Sequence, residues 1–115
     1  MESQVQIILE PFVRRQLFST TEEAARKLAL DYVKQHIQSH QRKVARLERK
    51  YGMTFAEFGK YLRQRSTRLQ SPSIKSGERK RLGRAIMNEE EDWLEWKAVS
   101  EMLESWLKLN RELNG

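Results

Sequence analysis

Apolar and polar side chains alternate over residues 4–9, Gln-Val-Gln-Ile-Ile-Leu, and this predicts a short strand. Val5, Ile7 and Leu9 fall on one face, and Gln4, Gln6 and Ile8 on the other. Pro11 has no N–H to add to a ladder and ends the strand. Residues 12–18 fit one or two helical turns. The run Ser19-Thr20-Thr21-Glu22-Glu23 then reads as a helix start, because Thr20 and Glu23 have capping-box spacing and the acids sit where the helix dipole favours them. With no Gly or Pro before Gly52, this helix is predicted over 21–51. Val33, Ile37, Val44, Leu47 and Tyr51 nearly keep a three–four spacing, with His40 in the missing slot. Such a helix spans about 46 Å, more than the ~35 Å diameter of a compact chain of this length. An elongated molecule, a hairpin or an oligomer is expected.

Gly52 supplies a left-handed stop. Thr54 and Glu57 form a second capping box, opening a helix at Phe55 with Phe55, Phe58 and Leu62 on one face. The pattern fades near Arg65, and residues 66–77 have loop composition. A short basic helix over 78–87 is weakened by Gly83. Asn88 and Glu91 make a third cap pair, so the last helix is predicted over 89–112, with a stripe through Trp93, Trp96, Val99 or Ser100, Leu103, Trp106 or Leu107, and Asn110. The expected fold is mainly α: an elongated helical hairpin or bundle with one short N-terminal strand, dimeric. Its parts are 1–62 for dimerisation, with possible DNA contact, a basic flexible connection over 63–87, and the Trp-rich helix 88–115.

Composition thins the expected core. Of the 115 residues, 38% are apolar and 33% charged, so a partner is expected to supply part of the buried surface. There is no cysteine, which excludes disulfides and thiolate metal sites. No unbroken apolar run exceeds three residues, as at Ile7-Ile8-Leu9, so neither a membrane span nor a signal-peptide core is expected, and a soluble cytoplasmic protein is. Charge is placed unevenly. Residues 60–84 carry nine basic and one acidic side chain, whereas 85–115 carry three basic and eight acidic. The basic block suits phosphates or an acidic protein surface. Alternatively, the two blocks screen each other across a hairpin.

The run Leu47-Glu48-Arg49-Lys50-Tyr51-Gly52-Met53-Thr54-Phe55-Ala56-Glu57-Phe58, with the later Asp92-Trp93-Leu94-Glu95-Trp96-Lys97-Ala98, resembles small helical antitoxin-like proteins of prokaryotic toxin–antitoxin operons. The likeness covers about 44–65 and 88–110. It implies a cognate toxin partner, often a ribonuclease, and no enzymatic activity of the chain's own. The connection between the two motifs is longer and more basic here than in that pattern. The N-terminus is more weakly similar to ribbon-helix-helix repressors. That mapping implies strand-paired dimers, with Gln4 and Gln6 reading operator bases and Arg14 and Arg15 on phosphates.

Each candidate site has a plainer alternative. His36 and His40, at i and i+4, could share a metal, but no third ligand is evident, and His40 reads better as the polar break in an apolar seam. Glu89, Glu90, Glu91 and Asp92 read as acids at a helix start, or as a phosphate mimic laid over a toxin's basic groove. Trp93 and Trp96 are either core or a partner-binding anchor. Arg79, Lys80 and Arg81 are candidate phosphate contacts without sequence choice, because no aromatics interleave them. Val5, Ile7, Leu9, Val33, Ile37 and Val44 are the candidate dimer interface. No phosphate loop, nucleophile motif or convergent acid–base set appears, so neither an enzyme nor a cofactor is expected. Two functions remain. One is an antitoxin-like protein that covers a toxin's active surface and represses its own operon. The other is a nucleic-acid-binding regulator with no toxin partner.

Overall fold

Local capping decides where the helices begin. In the computed structural model, which describes residues 3–115, Ser3 caps the first helix: its hydroxyl accepts from the Gln6 N–H, and the Gln6 side chain accepts from the Ser3 N–H. The result is α1 (Gln4–Arg14), a helix where a strand was expected. Val5, Ile8, Leu9 and Phe12 also stand at i, i+3, i+4 and i+7, and a short apolar run fits both periods. Pro11 sits inside the helix and removes one backbone donor. The ladder resumes with Arg15 N–H donating to Pro11 C=O. Residues 4–9 are therefore helical, and the strand on which the ribbon-helix-helix mapping rests is not found there.

The second helix, α2 (Thr21–Tyr51), has the predicted bounds. Thr20 caps it through the Glu23 N–H, and Gly52, at φ 63°, ends it. The third, α3 (Phe55–Leu69), starts at the Thr54–Glu57 capping box and continues past Arg65. Residues 70–75 make a short turn, much shorter than the expected loop, and α4 (Ser76–Asn114) follows without interruption for 39 residues. Neither Gly83 nor Asn88 breaks it. A lone glycine costs a helix only about 1 kcal/mol, and the buried Ile86 beside it anchors the segment. The connection expected over 63–87 is thus mostly helix. Among the described residues there is no strand, and no helix is long and apolar enough to cross a membrane.

The chain divides into two units. One joins residues 1–38 with 105–115 and buries Leu9, Ala24, Val33 and Ile37. There Trp106 of α4 stacks on His36 of α2 at 4.3 Å and meets Tyr32 edge-on at 6.0 Å. The other, residues 39–104, is built on Leu47, Phe58, Leu62 and Trp96, surrounded by Tyr51, Met53, Phe55, Tyr61 and Trp93. Its rings lie close: Tyr51–Phe58 at 4.2 Å, Phe58–Trp96 at 5.5 Å and Phe55–Trp93 at 5.7 Å. Such contacts add about 0.5–1.5 kcal/mol each beyond the area they bury.

Candidate functional site: the groove between α3 and α4

Within residues 39–104, charge pairs tie α4 to its neighbours. Lys50 Nζ meets Asp92 Oδ2 at 2.6 Å, and the Tyr51 hydroxyl donates to the same oxygen. Arg65 Nη2 meets Glu89 Oε1 at 2.7 Å, and Arg46 Nη2 meets Glu95 Oε1 at 2.9 Å. Burial opposes the Asp92 charge, but the Lys50 and Tyr51 hydrogen bonds outweigh it and hold this carboxyl below its usual range. Burial, and then the bond to Asp92, push the Tyr51 phenol well above its usual range, so it stays a donor. The basic and acidic blocks meet across the α3–α4 hairpin at Arg65 and Glu89.

This changes the role of the acidic run. Residues 89–92 lie in mid-helix rather than at a helix start, and Glu89 and Asp92 are turned into ion pairs of their own chain. They are unavailable as a phosphate mimic. Trp96 is 1% exposed and belongs to the core, so it cannot anchor a partner. Glu90 and Trp93 do reach the surface, and they do so in the same place.

That place is an open groove of about 550 Å³ between α3 and α4, lined by Gly59, Leu62, Arg63, Ser66, Thr67, Glu90, Trp93 and Leu94. Gly59 forms its floor. A Cβ built there would stand 3.7 Å from Arg63 Nη1 and 3.8 Å from Trp93 Nε1. Lys97 lies 5.5 Å above the Trp93 ring. The Thr67 hydroxyl donates back to the Arg63 carbonyl. Leu94 is 59% exposed. The groove therefore offers an apolar wall, two donor nitrogens beside Gly59 and a cationic margin. Of its residues, only Glu90 and Trp93 were singled out from sequence. A lone glycine inside the α3 pattern was the available signal for the rest.

Besides Arg63 in the groove, Lys60, Arg68, Lys75, Arg79, Lys80, Arg81 and Arg84 are all exposed, and Arg65 alone of this block forms a salt bridge among the described residues. Arg68 and Arg81 help line a cleft of about 390 Å³ by the α3–α4 turn. Arg79 donates to the Ser71 carbonyl at 3.1 Å. In the first unit, Gln4, Gln6, Arg14 and Arg15 are exposed on or beside α1, where Gln6 is occupied in its cap. The proposed dimer residues do not form one surface: Leu9, Val33 and Ile37 are buried within the protomer, Val44 is half-buried, and only Val5 and Ile7 stand free, beside Ile8. No protein-family model, no curated protein and no solved structure matches the chain.

Proposed function

We propose that this protein is a helical binding protein of the antitoxin kind, which neutralises a toxin by covering its surface. The observation that carries this reading is the α3–α4 groove, where the half-buried Trp93 and exposed Leu94 face solvent beside a closed aromatic core. Exposed apolar side chains next to a satisfied core mark contact surfaces. The antitoxin resemblance is carried by the residues around this same site, from Leu47 to Phe58 and from Asp92 to Ala98. Inhibition is steric, with electrostatic steering of the encounter by the basic block rather than by the acidic run. The test is co-expression with the product of the adjacent gene. A complex that co-purifies and relieves toxicity is expected; neither one appearing removes the reading.

A second reading, binding to nucleic acid by phosphate contact, is favoured by the exposed cations over 60–84, of which Arg68, Arg79, Lys80, Arg81 and Arg84 flank the α3–α4 turn. It covers operator DNA as well as other nucleic acids, and it is compatible with a toxin partner. A homodimer is proposed through the free apolar side chains of α1, Val5, Ile7 and Ile8. A solution mass twice that of the 13.7 kDa chain supports it, and a monomeric mass removes it.

A further inference from the structure

Glycine inside a helix costs stability unless something requires the missing side chain. At Gly59 the fold does not require it. A Cβ there would meet its nearest neighbours, the Arg63 guanidinium and the Trp93 indole nitrogen, at ordinary contact distances of 3.7 and 3.8 Å. What the glycine leaves is a notch with two donor nitrogens, Arg63 Nη1 and Trp93 Nε1, within 4 Å of it. One is a permanent cation and the other a neutral N–H. Together they suit a carboxylate, which accepts from both and is neutralised by the first.

The surroundings select the rest of the guest. Arg63 in the groove and Lys97 over the Trp93 ring outweigh the single acid of the groove, Glu90. Leu62 and Leu94 supply the apolar wall. We propose that the α3–α4 groove binds an acidic, leucine-rich helical segment of a protein partner, with a carboxylate seated over Gly59 between Arg63 and Trp93. The inference rests on the partner-binding reading above and names the chemistry of that partner. A nucleic-acid strand suits the groove less well, because the exposed Leu94 offers its phosphates no partner.

The test uses the full chain, a labelled helical peptide of glutamate and leucine at i, i+4 spacing, and its counterpart with lysine for glutamate. The glutamate peptide is expected to shift the indole N–H resonance of Trp93 while those of Trp96 and Trp106 stay in place. Arg63→Gln weakens its affinity about tenfold or more, as loss of a charged hydrogen-bond partner does. Trp93→Phe keeps an aromatic ring, though a smaller one, removes the N–H and weakens binding as well. Gly59→Ala fills the notch with one methyl group, leaves α3 folded, and weakens binding at least about tenfold. Equal shifts with the lysine peptide, no shift with either, or a Trp93 shift produced instead by duplex DNA overturns the proposal. If the toxin complex forms and survives Gly59→Ala and Arg63→Gln together, the groove assignment falls and the antitoxin reading stands. If the peptide binds as described and no toxin complex forms, the reverse holds.

Discussion

Gln16 adopts φ 64° just after α1, and the hydrogen bonds Gln16 N–H to Val13 C=O and Leu17 N–H to Phe12 C=O complete a Schellman turn around it. A side chain with a Cβ carries a penalty of about 1–2 kcal/mol there. Gln16→Gly is expected to raise stability by about 1 kcal/mol, read as a higher midpoint of denaturation. Asp92 gives the opposite case. Its folded-state carboxyl titrates below the ordinary range, so the unfolded chain takes up the proton first. Its contribution is present above the usual carboxylate range near ~3.9 and is lost as pH falls through the lower folded value. Asp92→Asn is expected to cost about 2 kcal/mol at neutral pH and to flatten the acid limb of the stability profile; an unchanged acid limb would sink this assignment. Neither feature was legible in the sequence. Gln16 carries no turn signature, and Asp92 looked like a helix-start acid because its partners, Lys50 and Tyr51, lie 42 and 41 residues away.

The capping boxes at Thr20–Glu23 and Thr54–Glu57 were readable because a cap is made by residues three apart, and the starts of α2 and α3 follow from them. Asn88–Glu91 has similar spacing and caps nothing, because α4 has already begun at Ser76. Spacing shows where a helix can start, and the turns before it decide whether it does. The N-terminal segment shows the same limit: its apolar pattern suits two periods, and the Ser3–Gln6 box, with Gln rather than Glu at its third position, is what selects the helix. Gly83 remains a weak point in α4. A Cβ there would meet nothing within 4 Å, so Gly83→Ala is expected to stabilise the chain by about 1 kcal/mol. Chemical denaturation with circular dichroism checks it.

If phosphates bind the basic block, affinity for duplex DNA falls at least about tenfold between low and physiological salt. Replacing Arg79, Lys80 and Arg81 by glutamine then lowers both the affinity and the salt slope, as a filter-binding titration would show. Affinity that is flat with salt removes the nucleic-acid reading. At this level the mainly helical class, the bounds of α2, the start of α3 and the charge asymmetry were all contained in the chain's own order, because helix periodicity, caps and net charge depend on residues near one another. Which tryptophan is core and which meets solvent, which acids are already paired, and the notch over Gly59 depended on how α3 and α4 pack. Trp93 and Trp96 are three residues apart on one helix and share every local property. Only the neighbours brought to them across the fold, Leu47, Phe58 and Leu62 around Trp96, and Phe55 on one side with the open groove on the other for Trp93, make one a structural residue and the other a candidate contact.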